Sequence, residues 1–193
     1  MSRTESNMLA LGTIAPEFSL LDTVSQKTMN LHALKGVKGT VIMFICNHCP
    51  FVVHVNPEIT KLSKDYKSRG IGFIAISSND VENDPEDAPH YMRIKAENYT
   101  FPYLYDEHQV VAKSYNAACT PDFYLFDAEL KLVYRGQLDD SRPGNDQPLN
   151  GKDLRNALEN LLSGKKIDSL QKPSIGCNIK WKPQIWFEFI LQK

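Results

Sequence analysis

Three observations along the chain predict an α/β fold: a central mixed β-sheet flanked by helices, with an N-terminal β-hairpin extension. The first is the run at residues 41–46, Val41 to Cys46, apolar at every position as a strand covered on both faces must be. The second is the trio Ile59, Leu62 and Tyr66, spaced by three and four, followed by another apolar run from Phe73 to Ile76. That order reads strand, helix, parallel strand, with a right-handed crossover. The third is the pair of extended runs at residues 123–126 and 130–135 on either side of Asp127, Ala128 and Glu129. This is hairpin spacing, and it puts antiparallel strands late in the sheet.

The other elements follow in order. Residues 18–22 and 27–31, joined by a polar turn at residues 23–26, form the hairpin. Gly39 opens the central strand over residues 40–45, and Cys46-Asn47-His48-Cys49-Pro50 leads from it into a helix that ends before Gly70. Pro57 removes a backbone donor inside that helix and predicts a kink or a restart. A second buried strand covers residues 72–78. Asp84 and Pro85 supply a cap and a first-turn proline for a helix reaching Tyr99, with Pro89 leaving its start open. Residues 103–105 read as a short strand, and Asp106 with Gln109 resembles a capping box for a short helix through Val110, Val111 and Tyr115. Residues 139–150 are polar and turn-rich. Leu154, Leu158, Leu161 and Leu162 then mark the buried stripe of a last helix that stops at Gly164.

The chain has 193 residues, which suits one core, with residues 1–11 as an N-terminal arm, 12–163 as the domain and 164–193 as a C-terminal extension that packs on the domain or a partner. Lysine plus arginine number 22 against 23 acidic residues, so no net field draws the protein to nucleic acid or an acidic membrane. Residues 1–14 lack the apolar stretch of a secretory signal, and the apolar run at 41–46 is far short of the about 20 residues that cross a bilayer. A cytoplasmic location follows as the expectation. Four cysteines are too sparse for a disulfide scaffold, so their spacing carries the argument.

A thiol attacks a disulfide only as the thiolate, so a redox cysteine needs something positive nearby. If the helix starts directly after the strand, Cys46 sits at its amino end, where unpaired N–H groups and the macrodipole favour negative charge. Cys46 is then the nucleophile, and Cys49, one turn on, resolves the mixed disulfide. His48 either favours the Cys46 thiolate or is a surface histidine without effect. Asn47 and Pro50 shape the turn, Pro50 as a first-turn residue. Far along the chain, Thr120-Pro121 precedes a strand. A cis proline there would present the Thr120 backbone to an incoming peptide as a strand partner, while a trans turn proline is the plain alternative.

Cys-x-x-Cys-Pro after a buried strand, with the later Thr120-Pro121-Asp122-Phe123-Tyr124-Leu125-Phe126-Asp127, resembles the thioredoxin superfamily. Ala15-Pro16-Glu17-Phe18-Ser19-Leu20 resembles the opening of its alkyl-hydroperoxide-reductase and thiol-specific-antioxidant branch, which includes the membrane-tethered TlpA and ResA types. Cys46-Asn47-His48-Cys49-Pro50, together with Ile175-Gly176-Cys177-Asn178-Ile179-Lys180-Trp181, is similar to a peroxiredoxin-like thioredoxin family and extends the match to Lys182. The resemblance implies a thioredoxin-like fold, a cis Pro121 and thiol-disulfide oxidoreductase activity exchanging the Cys46-Cys49 pair with protein or small-molecule thiols. Thioredoxin or glutathione would be the electron donor, and no cofactor is implied. A peroxiredoxin-like peroxidase is the alternative. True peroxiredoxins keep a threonine where this chain has Cys46 and a proline where it has Ile42, and their arginine enters near Pro121-Asp122. The hydroxyl and guanidinium donors that polarise an O–O bond are therefore missing from the motif.

Cys119, next to Thr120, is either a buried inert thiol or a resolving one, and Cys177 lies on a segment able to fold back over the site. A third reading is a copper-binding module using Cys46, Cys49 and one of His54, His90 or His108. The tail at residues 183–193 is apolar and is expected to pack on its own domain, in a homodimer or on a partner.

Overall fold

The computed structural model describes residues 3–183; the apolar residues of the tail, 185–191, lie outside the described residues. Strand β1 (Arg3–Glu5) precedes the hairpin β2 (Ser19–Asp22) and β3 (Thr28–Asn30), and a single turn, α1 (Leu31–Leu34), leads to β4 (Gly39–Phe44). Helix α2 (Pro50–Lys67), β5 (Ile71–Ser77), α3 (Pro89–Lys95), β6 (Tyr103–Tyr105) and α4 (Val110–Ser114) follow. The chain then forms β7 (Cys119–Thr120), β8 (Asp122–Asp127), β9 (Leu132–Gly136), α5 (Lys152–Leu162) and β10 (Ile175–Asn178).

Seven strands make the main sheet in the order β3-β2-β6-β5-β4-β8-β9, parallel across β4-β5 and β5-β6 and antiparallel elsewhere. A second sheet of three short strands, β1-β10-β7, stands beside it. The main sheet is the mixed sheet that the apolar runs predict. Alternate residues of β4 explain why: Val41, Met43 and Ile45 pack on one side with Val52, Ile59 and Leu62 of α2 and Leu158 of α5. Ile42 and Phe44 pack on the other, with Leu31, Val111 and Tyr115. Each such side chain contributes about 1.5–3 kcal/mol by leaving water, so β4 is fixed from both faces. Arg155 Nε donates to Glu58 Oε1 at 2.9 Å and its Nη1 to Asp65 Oδ2 at 2.8 Å, tying α5 to α2.

Two local expectations are corrected and a third is narrowed. The single helix expected to reach Tyr99 is broken into a 3-10 turn at Pro85–Asp87, α3, and another 3-10 turn at Ala96–Asn98. Ala88, held extended at φ −62° and ψ 151° ahead of Pro89, makes the break, because a residue before proline is crowded out of the helical region. The capping box is not formed either. Asp106 alone accepts from the backbone of Val111 and Ala112. Gln109, in the left-handed region at φ 59°, sends its amide to the Ser78 and Lys180 carbonyls at 2.7 Å each. At Pro57, finally, α2 continues without restarting.

Candidate functional site

β4 ends at Phe44, and Ile45 N–H still donates to Ile76 O at 3.0 Å, so the sheet carries the chain rigidly to Cys46. The sequence puts Cys46 at the amino end of the helix. The structure starts the helix at Pro50, with Cys49 as its N-cap and Cys46 in the turn before it. Proline fills the first helical position, where no N–H is needed, and this sets the start later than expected. Both thiols are buried, Cys46 being 2% exposed and Cys49 not at all.

The later helix start moves the charge. Cys49 accepts from the Cys46 thiol, from the Cys177 thiol and from the backbone N–H groups of Val52 and Cys177, and together these outweigh burial and lower its pKa to about 5. The Cys46 thiol is held well above its ordinary range by that same hydrogen bond to Cys49, then by burial and by the Asp87 carboxylate. The reduced pair therefore concentrates its negative charge on Cys49, whereas the sequence argument assigns it to Cys46. Two thiols this close titrate as a unit. As a thiol, Cys49 donates to Thr120 O at 3.2 Å.

Asp87 is the buried anchor of the Asn47-His48 turn. Its carboxylate accepts from Asn47 N at 2.7 Å and from Asn79 Nδ2 at 2.7 Å. His48 Nδ1 lies 2.9 Å from Asp87 Oδ2, within ion-pair distance but off the line of a hydrogen bond, and its Nε2 lies 3.8 Å from Asp84. His48 thus faces two carboxylates. Asn47 in turn donates to Glu86 O and accepts from the Tyr103 hydroxyl. Pro50 is exposed at the helix start.

The Thr120-Pro121 peptide bond is cis. Thr120 Oγ1 is 3.4 Å from Cys46 Sγ, a hydroxyl contact that the motif alone does not show. The Thr120 backbone is not open to a peptide, however. Cys177 of β10 pairs opposite it, Asn178 opposite Cys119, and β1 covers the other edge of β10. The edge expected to receive a partner strand is filled by the chain's own C-terminal segment. Cys177 Sγ is 2.9 Å from Cys49 Sγ, and burial, then the contact with Cys49, raises its pKa to about 12. Cys119 Sγ lies 3.7 Å from Pro121 O, and burial pushes its thiol far above the ordinary range.

The histidines proposed for a metal do not come together at the cysteines. His54 bonds Ser141, His90 packs tilted against Tyr91 with ring centroids 3.9 Å apart, and His108 is exposed. Among the described residues, the atoms that converge as a ligand set are those of Cys46, His48 and Asp87, within 4.8 Å of one another. An open groove of about 700 Å³ runs from Asn47 and His48 past Asn56, Tyr91 and Tyr99. Asp87 and Asn79 are the site residues that sequence reasoning misses. Asp87 sits between two prolines in a stretch read as helix, and nothing in its neighbours marks it as different from a solvent-facing acid.

Residues 11–135 match the model of the AhpC/TSA family. The thiol-disulfide oxidoreductase ResA of Geobacillus kaustophilus is 26% identical over 137 residues, 70% of this chain and 75% of its own length. The crystal structure of an uncharacterized conserved protein from Geobacillus kaustophilus superposes with a TM-score of 0.93 at 56% identity, covering 95% of this chain and 98% of that one. The thioredoxin domain of a thiol-disulfide oxidoreductase from Bacteroides vulgatus superposes at 0.56 with 22% identity, covering 77% and 99%, and shares the fold. The fold is thioredoxin-like, and the chain belongs to the AhpC/TSA family.

Proposed function

We propose that the protein is a thiol-disulfide oxidoreductase working through Cys46 and Cys49. The observation that carries the reading is the hydrogen-bonded thiol pair at the start of α2, one member of which is acidified to about pKa 5. A thiol of that acidity is ionised at neutral pH, whereas a free cysteine is mostly protonated. The relatives that bear the name thiol-disulfide oxidoreductase support the same chemistry.

Cys46 is the sulfur that meets the substrate in this reading, because it directly precedes Asn47 and His48, which line the groove, and keeps 2% exposure where Cys49 is fully buried. The pair shares one proton along its hydrogen bond, and moving that proton to Cys49 leaves Cys46 as the attacking thiolate. Cys46 Sγ bonds to one sulfur of the substrate disulfide and the other sulfur leaves as thiolate. Cys49, again deprotonated, then attacks Cys46 Sγ, expels the second substrate thiolate and closes the Cys46-Cys49 disulfide. The occupied Thr120 edge favours small disulfides and exposed protein disulfides over extended peptides, with thioredoxin or glutathione restoring the dithiol. Cys119 takes no part, since burial keeps it protonated.

The peroxidase reading gains the Thr120 hydroxyl beside Cys46 but no guanidinium hydrogen-bonded to either sulfur among the described residues. Equilibration in glutathione buffers of graded potential, with thiols counted by maleimide mass shift, tests the main reading. A two-electron transition that disappears in Cys49→Ser is expected, and its absence from the wild-type chain overturns the proposal. Hydroperoxide consumption faster than insulin reduction would favour the peroxidase.

A further inference from the structure

In a fold that presents a strand end beside its reactive sulfur, an incoming chain adds to that strand by main-chain hydrogen bonds. Here that position is held from within. β10 lies antiparallel on β7 with Cys177 opposite Thr120, which brings the sulfur of Cys177 against Cys49. Its placement is built in several ways. Gly176 passes so close to Thr120 that a Cβ would lie 1.9 Å from the Thr120 carbonyl oxygen. Ile179 N donates to Ala118 O at 3.0 Å, and Lys180 N to Asn79 Oδ1 at 2.9 Å. Asn79 also holds Asp87, so one side chain links the C-terminal segment to the anchor of the cysteine turn. Ser174 Oγ donates to Gly136 O at 2.6 Å, and Ser6 N to Ser174 O at 2.9 Å.

The result is a 2.9 Å approach between Cys49 Sγ and Cys177 Sγ, residues 128 apart in sequence. A disulfide bond is about 2.05 Å long, so a small movement separates contact from bond. From this geometry we propose that Cys177 is a third redox thiol that exchanges with the Cys46-Cys49 disulfide to give a Cys49-Cys177 disulfide. The inference rests on the oxidoreductase reading, because that reaction supplies the disulfide. Cys177 gives up its proton and its thiolate attacks Cys49 Sγ. The Cys49-Cys177 bond forms, the Cys46-Cys49 bond breaks, and Cys46 leaves with the bonding electron pair and takes up a proton. No electrons enter or leave. The oxidising equivalents move inward, onto two buried sulfurs, and the substrate-facing Cys46 returns to its reduced state.

Trypsin separates the candidates cleanly. Cys46 and Cys49 share peptide 39–61, Cys119 lies in 114–131, and Cys177 lies in 167–180 because Pro173 protects the bond after Lys172. The full chain is oxidised with one equivalent of diamide, quenched in acid, alkylated with N-ethylmaleimide and mapped by mass spectrometry. Peptide 39–61 joined to 167–180, with maleimide on Cys46, is the expected product. In Cys177→Ser, maleimide labelling of Cys46 in the oxidised chain should fall by about tenfold or more, because the disulfide has nowhere else to go. A closed loop within 39–61 with Cys177 labelled overturns the exchange but leaves the redox pair intact, and so does a link through Cys119. No disulfide involving 39–61 overturns the exchange and the oxidoreductase reading together.

Discussion

The Asp87 carboxylate accepts a hydrogen bond from the Asn47 amide at 2.7 Å, and so a buried acid sits directly beneath the turn that carries both redox sulfurs. It fixes the turn and at the same time disfavours a thiolate at Cys46, adding to the hydrogen bond that Cys46 donates to Cys49 and to burial.

Asp87→Asn should separate these two roles. The amide oxygen still accepts from Asn47, but the charge is gone, so the Cys46 pKa falls and its iodoacetamide labelling at pH 7 rises by about threefold to tenfold, a tenfold gain matching one pKa unit. The rate at Cys46, read by peptide mass, is the measurement. An unchanged or slower rate would show that the carboxylate does not set the reactivity of Cys46.

Asp122 and Cys49 should give stability opposite dependences on pH. Burial raises the Asp122 carboxyl to about 8 from an ordinary 3.8, so its contribution is fully present below 3.8 and is lost as pH rises toward 8. Cys49 is lowered to about 5 from 9.0, chiefly by the hydrogen bond from Cys46, so its contribution is fully present above 9.0 and is lost as pH falls toward 5. Between about pH 5 and 8 the two slopes oppose each other. Urea midpoints of the reduced protein should therefore climb with pH in Asp122→Asn and decline in Cys49→Ser, with the wild-type chain between them. Three parallel curves would contradict both assignments.

Gly176→Ala should unseat β10. The new methyl group would meet the Thr120 carbonyl, which is backbone and cannot swing aside, so the strand must shift, at a cost of about 1–3 kcal/mol. Hydrogen exchange is expected to accelerate in β10 and β1 while β4 and β5 stay protected. Unchanged protection in β10 would mean that its fit against β7 is looser than the close approach indicates.

The parts of this architecture legible in the sequence are those written in local pattern. The uninterrupted apolar run from Val41 needs cover on both faces, and it has it. The spacing of Ile59, Leu62 and Tyr66 marks the buried face of α2, and the hairpin around Asp127 closes β8 on β9. What stays hidden depends on distant partners. Ile175-Gly176-Cys177-Asn178 shows no alternation and little strand propensity, and it becomes a strand because β7 and β1 pair with it. Asp87 acquires its role from Asn47 and Asn79, neither of which is near it in the pattern. Even the helix start turns on tertiary geometry: a Cys-x-x-Cys spacing fits a helix beginning at either cysteine, and the structure selects the second.

The junction between the two sheets has a mechanical consequence. β7 runs through Pro121 directly into β8, whose first residue, Asp122, lies opposite Phe44 at the end of β4, two residues ahead of Cys46. A load on the C-terminal segment passes from β10 to β7, through covalent chain into β8, and across the β8-β4 pairing to the strand end that delivers the sulfur. That segment thereby holds a lever arm on the strand end two residues ahead of Cys46.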